Sequence, residues 1–202
     1  MLEKVKEIFK REATAIENIP VTKSFEDAIG IIHTQVHAKN GKLVTSGMGK
    51  AGQIAHNIAT TFSSTGTPSI FLHPSEAQHG DLGILQENDV LLAISNSGKT
   101  REIIELIDLK NNLYPQIPVI VITGNENSPL AQKADCFILT GAPEEVCTLG
   151  LTPTTSTTMM TVIGDALVVL LMNKIDFNVK DYAKRHHGGY LGMKSREISG
   201  KD

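Results

Sequence analysis

The sequence predicts an α/β fold, a three-layer αβα sandwich around a five-stranded parallel sheet. Strand-like runs rich in Ile, Val and Leu alternate with helical segments, and this alternation implies parallel pairing with helices on both faces of the sheet. The 202 residues are 41% hydrophobic and 20% charged, with only 4% aromatic residues. This is the profile of a globular protein with an aliphatic core.

The chain is expected to form one domain over residues 1–202. Apolar residues recur at helical spacing from residue 2 to 16, and a second amphipathic segment runs over about 24–40. These two N-terminal helices precede a core that we place at about 41–192. The Gly-rich, polar end from 187 to 202 is expected to be a loop or tail.

The core itself is predicted element by element from its apolar pattern. Five strands are predicted, at about 42–46, 69–72, 89–94, 117–123 and 136–139. Helices are predicted between and after them, at about 50–63, 100–113, 129–134, 157–173 and 179–184.

Composition argues against several classes of protein. A formal charge of −3 gives no general electrostatic attraction for nucleic acid or an anionic membrane. Two cysteines are too few for a disulfide framework. The first residues lack the apolar run of a signal peptide, and the apolar run 166–172 is far shorter than the ~20 residues that span a bilayer. We therefore expect a cytoplasmic protein.

A first candidate loop, Gly47-Met48-Gly49-Lys50-Ala51-Gly52, directly follows a predicted strand. It fits G-x-G-x-x-G, so a dinucleotide site has to be considered, but the acidic residue expected at the end of the second strand is not there. A lysine inside the loop suits a compact phosphorylated substrate better. The alternative is that these glycines only make a tight turn.

A second candidate loop, Ser95-Asn96-Ser97-Gly98-Lys99-Thr100, opens a predicted helix. Free backbone N–H groups and the helix dipole bind anions at such a position. Its end matches the G-K-[ST] of a P-loop kinase, but Ala93 replaces the leading glycine. A single phosphate is therefore the better interpretation, with an ordinary N-cap cluster as the alternative.

Further candidates lie in a Thr-rich segment and among the titratable residues. Five Thr and one Ser fall within residues 152–158, before a predicted helix. Their hydroxyls either bind a ligand or belong to a solvated Thr-rich loop. Glu102 occupies the first turn of the predicted helix after the second loop. The helix dipole alone favours an acidic residue there, so Glu102 also has a structural explanation. Glu145, His79 and His186 each have a structural interpretation when taken singly.

Taken together and in order, these segments resemble the bacterial arabinose-5-phosphate isomerases of the SIS (sugar isomerase) superfamily. The resemblance is carried by the first two loops and by three further segments, His73-Pro74-Ser75-Glu76-Ala77-Gln78-His79-Gly80-Asp81-Leu82-Gly83, Leu149-Gly150-Leu151-Thr152-Pro153-Thr154 and His186-His187-Gly188-Gly189. It implies a flavodoxin-like sheet and a homo-oligomer, usually a tetramer. Members often continue into CBS domains, which we do not expect in this chain.

The resemblance also implies a reaction and its residues. The reaction interconverts ribulose 5-phosphate and arabinose 5-phosphate without cofactor or metal, and it feeds the synthesis of Kdo, an acid sugar of lipopolysaccharide and capsules. By motif match, the family's active-site residues fall on Lys50, His79, Glu102, Glu145 and His186. Its phosphate loop falls on Ser95, Asn96, Ser97 and Thr100. As further substrate-binding candidates we add Gly47 and Gly49 from the first loop and Thr154 and Thr155 from the Thr-rich segment.

The chemistry expected from these residues is a proton transfer through an enediol. Glu102 or Glu145 would be the base, with Glu102 slightly favoured, and Lys50 would stabilise the enediolate or hold the phosphate. His79 and His186 would exchange protons at the oxygens, and either could come from a neighbouring subunit. CMP-Kdo is a candidate feedback inhibitor. The alternative function is a non-catalytic SIS-type sensor that binds sugar phosphates.

Overall fold

The computed structural model describes residues 1–200 and contains a five-stranded, all-parallel sheet. Its strands are β1 (Leu43–Gly47), β2 (Ser69–Phe71), β3 (Val90–Ile94), β4 (Val119–Thr123) and β5 (Cys136–Leu139). The strand order is β2-β1-β3-β4-β5, so the chain reverses its direction of progress across the sheet between β1 and β3. The predicted fold class and the flavodoxin-like strand order are both confirmed.

Helices cover both faces of this sheet. The α-helices are α1 (Leu2–Glu17), α2 (Ser24–Ile32), α3 (Gly49–Ser64), α4 (Pro74–Ala77), α5 (Arg101–Leu113), α6 (Pro129–Gln132), α7 (Thr155–Lys174), α8 (Val179–Arg185) and α9 (Gly189–Ser199). Side chains of β3 alternate between the two layers: Leu92 and Ile94 face α2, α3 and α7, whereas Leu91 and Ala93 face α4, α5 and α6. Strands buried on both faces explain the continuous apolar runs in the sequence.

The end of the chain differs from its prediction. Residues Gly189–Ser199 form α9 instead of a loop or tail, and α9 packs against α8. Gly188 precedes the helix, Gly189 is its first residue, and Gly200 ends it in a left-handed conformation. These glycines start and stop a helix, which is why a glycine-rich composition was misleading here. Residues 201 and 202 of the predicted domain lie outside the described part.

The second predicted helix also ends differently. The α-helical part of this segment stops at Ile32, and residues His33–Ala38 continue as a π-helical turn. The rings of His33 and His37 stack in this turn, with centroids 5.9 Å apart. Burial, followed by the nearby His33, lowers the pKa of His37.

Helix α7 is a core element of the molecule. By length and composition alone it could cross a membrane, but half of its apolar stretch is buried inside the protein. Gly164 lets α7 approach α3 closely, because a Cβ at this position would lie 2.5 Å from the side chain of Ile58. The apolar character of α7 is therefore explained by packing between α2, α3 and the sheet.

Candidate active site

The candidate site lies at the carboxyl edge of the sheet. Strands β1, β3 and β5 end at Gly47, Ile94 and Leu139, and because the strands are parallel the loops that follow them meet at one edge. The switch in strand order falls between β1 and β3, where ligands of open α/β sheets bind. A cavity of about 630 Å³ opens there.

The cavity gathers residues from loops that are far apart in sequence. Its lining consists of Met48, Lys50, Ala51, Asn96, Ser97, Pro143, Glu144, Glu145, Gly150, Leu151, Pro153, Ser156, Thr157 and Met160. Of the predicted site residues, it therefore brings together Lys50, Asn96, Ser97 and Glu145. Its lining holds one cation, Lys50, two carboxylates, Glu144 and Glu145, and several neutral donors, a set that suits a small polyol phosphate.

The glycines of the first loop shape the turn between β1 and α3. A Cβ on Gly47 would lie 2.8 Å from the backbone carbonyl of Ala51, and one on Gly52 would lie 2.6 Å from the carbonyl oxygen of Gly47. Gly49 begins α3 with φ +56°, a left-handed conformation. The three glycines thus make the tight turn, and this turn places the exposed side chain of Lys50 at the cavity.

In the second loop, two of the predicted residues hold the loop together. The hydroxyls of Ser95 and Thr100 lie 2.7 Å apart in a hydrogen bond, and the N–H of Gly98 donates to Ser95 Oγ at 3.2 Å. Ser95 is buried. Asn96 and Ser97 are left facing the cavity, at the approach to the N-terminus of α5.

Glu145 is bound to the N-terminus of α7. Its Oε2 accepts the amide and hydroxyl of Thr154, at 2.6 and 2.8 Å, and the amide of Ser156 at 3.3 Å, while Ser156 Oγ donates to Oε1. Burial raises the pKa of Glu145, but the hydrogen bonds from Ser156 and Thr154 outweigh it, so the pKa of this carboxyl is lowered. The positive end of the helix dipole favours the same ionised state.

Thr155 has a different neighbour from Thr154. Its side chain is buried, donates to Oε1 of Glu12 at 2.8 Å and accepts the amide of Val146 at 3.0 Å. Neither Thr154 nor Thr155 lines the cavity, whereas Ser156 and Thr157 of the same Thr-rich segment do. The patch of hydroxyls thus serves partly the helix cap and partly the cavity.

The three other predicted catalytic residues do not line this cavity. His79 is exposed after α4, and Glu102 is partly exposed in the first turn of α5. His186 directly follows α8. Its ring stacks on Tyr182 with centroids 3.6 Å apart, and its Nδ1 lies 3.0 Å from the Tyr182 carbonyl oxygen. Among residues 1–200, no three His, Cys, Asp or Glu side chains lie close enough to hold a metal ion.

Sequence reasoning missed two residues that bear on the site, Arg11 and Glu12 of α1. Arg11 Nη2 donates to the main-chain oxygen of Glu145 at 3.2 Å, and Glu12 accepts from Thr155. More than 130 residues separate these partners in sequence. No local pattern signals such a contact, because α1 reads as an ordinary amphipathic helix.

Comparison with known proteins connects this geometry to a family. The SIS domain family model matches residues 37–170. Arabinose 5-phosphate isomerase KdsD of Shigella flexneri is 50% identical over 154 residues, covering 76% of this chain and 46% of the relative. KdsD of Pseudomonas aeruginosa is 46% identical, covering 78% and 48%. The chain spans about half the length of the curated relatives it matches.

Solved structures are similar over nearly the whole chain. A Bacteroides fragilis protein, provisionally assigned as a phosphosugar isomerase involved in capsule formation, is 66% identical with a TM-score of 0.93, over 94% of this chain and 99% of its own. An Escherichia coli CFT073 protein in complex with arabinose 5-phosphate is 34% identical with a TM-score of 0.84, over 91% and 95% of the two chains.

Proposed function

Because the chain belongs to the SIS domain family, we propose that it is an aldose–ketose isomerase that interconverts D-ribulose 5-phosphate and D-arabinose 5-phosphate. The observation that carries the proposal is the cavity at the β1–β3 switch point, where Lys50, Asn96 and Ser97 face Glu145. The names of the KdsD relatives and the arabinose 5-phosphate complex of the E. coli protein support the choice of substrate.

We place the phosphate at the loop before α5. Asn96 and Ser97 offer neutral donors there. Within residues 1–200 no side chain caps the N-terminus of α5, so its first amides and its dipole are available to an anion. Holding the far end of the substrate in this way orients its C1–C2 bond, which reduces the entropy cost of the reaction. Lys50 then stabilises the negative oxygen of the enediolate or contributes to phosphate binding.

For the base, we retain Glu102 and Glu145 as candidates and favour Glu102. The hydrogen bonds that lower the pKa of Glu145 keep it ionised but also make it a weaker base. Within residues 1–200 the Glu102 side chain makes no hydrogen bond. It does not line the cavity, but it lies in the first turn of α5, directly after the loop that we assign to the phosphate. Its carboxylate would take the C1 or C2 proton and return it to the neighbouring carbon.

We place His79 and His186 in the site by assembly of subunits. Neither histidine lines the cavity of its own chain, and His186 lies between α8 and α9, a helical hairpin that exposes Tyr190, Leu191 and Met193. Apolar side chains exposed together on such an element favour contact with another subunit. The proposed enzyme is therefore a homo-oligomer, a tetramer as the resemblance implies, with proton-shuttling histidines that come from neighbours.

We place the reaction in the cytoplasm, on the route to Kdo. The capsule role given for the B. fragilis protein favours capsule synthesis over lipopolysaccharide. CMP-Kdo would bind the same donors as a feedback inhibitor, since it carries a phosphate, a carboxylate and sugar hydroxyls.

The test is incubation of the purified protein with ribulose 5-phosphate in the absence of nucleotides. We expect arabinose 5-phosphate to accumulate to equilibrium. Lys50→Met should abolish conversion, whereas Lys39→Met, which removes an exposed lysine outside the cavity, should not. Saturable binding of ribulose 5-phosphate without conversion would instead select the sensor.

A further inference from the structure

Helix α1 is bonded to the loop that carries Glu145, although α1 lies outside the region that the SIS domain model matches. Glu12 Oε1 accepts the hydroxyl of Thr155 at 2.8 Å, and the same hydroxyl oxygen accepts the amide of Val146 at 3.0 Å. Arg11 donates to the main-chain oxygen of Glu145 at 3.2 Å. Helix α1 thus reaches the backbone of Glu145 directly through Arg11, and that of Val146 through Glu12 and the Thr155 hydroxyl.

A glutamate at position 12 makes the protein less stable than an apolar residue there would. Its Oε2 is buried and has no hydrogen-bond partner within residues 1–200. A buried carboxylate oxygen without a donor costs free energy, and an apolar side chain packed on α7 would avoid that cost. Residues that break a local rule of stability in this way concentrate at functional sites.

The geometry also shows what Glu12 controls. The first turn of α7 receives two carboxylates: Glu145 takes the donors of Thr154 and Ser156, and Glu12 takes the hydroxyl of Thr155. With its proton committed to Glu12, the Thr155 hydroxyl directs a lone pair to the Val146 amide. Without Glu12 the Thr155 hydroxyl is free to rotate. The hydrogen bond from the Val146 amide to this hydroxyl, next to Glu145, is then no longer held in place.

We propose that Glu12 is a positioning residue for isomerisation: through Thr155 it fixes the Val146 amide, and thereby the Glu145 carboxylate and the loop wall of the cavity. The proposal rests on the proposed function. It assigns a role to α1 that does not involve contact with substrate.

Cys147 directly follows Val146, and the pKa of its thiol is a measure of the loop conformation that does not depend on turnover. Hydrogen bonds from the Thr152 side chain and from the backbone of Leu149 and Thr152 lower the pKa of its thiol to about 7. Burial raises the pKa of the other thiol, Cys136, to about 11. Because alkylating reagents attack the thiolate, iodoacetamide near neutral pH labels Cys147 selectively.

The experiment measures the rate of Cys147 alkylation against pH together with steady-state isomerase kinetics. In Glu12→Ala, we expect the thiol midpoint to rise from about 7 toward the ordinary ~8.5, because a loosened loop loses the Cys147 hydrogen bonds. We expect kcat to fall roughly tenfold or more, with KM changed less than about twofold, because the phosphate loop is untouched.

Two variants complete the design. Glu12→Gln keeps a carbonyl oxygen that accepts from Thr155, so it should retain most of the wild-type kcat and thiol midpoint. Glu17→Ala removes an exposed glutamate from the last turn of the same helix and should change neither. If Glu12→Ala does not fold, Glu12→Asp, whose side chain is one methylene too short to reach Thr155, takes its place.

The outcomes separate this proposal from the proposed function. An active enzyme whose Glu12 variant keeps the wild-type thiol midpoint, or shifts it without loss of kcat, overturns the positioning role alone. A wild-type protein that does not convert ribulose 5-phosphate refutes the proposed function and, with it, any role of Glu12 in turnover. The thiol profile then still shows whether Glu12 holds the loop.

Discussion

At the scale of single residues, Glu145 shows how a helix cap and a cavity wall are combined. Four hydrogen bonds from Thr154 and Ser156 hold its carboxylate at the start of α7, with one face toward the cavity. Hydrogen bonds to the charged form lower a carboxyl pKa even when burial opposes them. Glu145 thus stabilises the start of α7 and also forms part of the cavity wall.

This coupling predicts a pH dependence of folding. Since the folded-state pKa of Glu145 is lowered, its stabilising contribution is fully present above the ordinary glutamate pKa of about 4.3 and is lost as the pH falls through the folded value. Glu145→Gln should therefore flatten the acid side of the stability curve. Urea unfolding at a series of pH values measures this, with Glu126→Gln, an exposed loop glutamate, as control.

The choice of base gives a second prediction at this scale. Glu102→Gln should lower kcat by roughly 100-fold or more, because general base catalysis contributes about that much, and should leave KM nearly unchanged. Glu145→Gln should lower kcat less, since the Gln side chain still accepts from Thr154. Near-normal turnover in both variants would remove the two carboxylates from the mechanism.

At the scale of elements, the turn from β1 into α3 depends on Gly47, a position that has no space for a side chain. Gly47→Ala places a Cβ 2.8 Å from the Ala51 carbonyl, and backbone cannot yield as a side chain can. We expect destabilisation of about 1–3 kcal/mol and a loss of activity, because α3 and Lys50 shift. Urea unfolding and kinetics give both values.

Gly30→Ala is the matched control for this prediction. Gly30 lies exposed within α2, and a Cβ there would have no atom of residues 1–200 within 4 Å beyond its own surroundings in the helix. It should stabilise the protein by up to about 1 kcal/mol through helix propensity, with normal activity. Equal effects of the two substitutions would show that the close contact at Gly47 is unimportant.

The α8–α9 hairpin is the element least integrated with the rest of the chain. Its two helices pack mainly against each other, and Tyr190 is 66% exposed. An element with few core contacts gains little stability from its own subunit. This is the physical reason for assigning its His186 to a neighbouring site.

At the scale of the whole molecule, the proposal that subunits share sites predicts complementation between inactive variants. Lys50→Met and His186→Asn should each be inactive alone, whereas co-expressed hybrids should recover roughly a quarter of the wild-type activity, because symmetric assembly creates some sites with both residues intact. Each variant co-expressed with itself is the control. Hybrids without activity would place Lys50 and His186 in the site from one chain.

Prediction from sequence succeeded best where local pattern carries the information. The five strands, α3, α5 and α7 were found within a few residues, because buried parallel strands and amphipathic helices leave a periodic signal. The α9 helix was missed because its glycines and polar residues resemble a tail. The contacts of Arg11 and Glu12 with the Glu145 loop have no local signal at all.

The sequence by itself determined the fold class, the strand succession and the loops that follow β1 and β3, because these depend on hydrophobic periodicity and on glycine geometry. Only the tertiary structure decided that Lys50, Asn96, Ser97 and Glu145 share a cavity while His79, Glu102 and His186 do not line it. It also decided that Ser95, Thr100, Thr154 and Thr155 bond to other protein groups. Such juxtapositions arise when distant segments meet at one sheet edge, and short-range pattern cannot encode them.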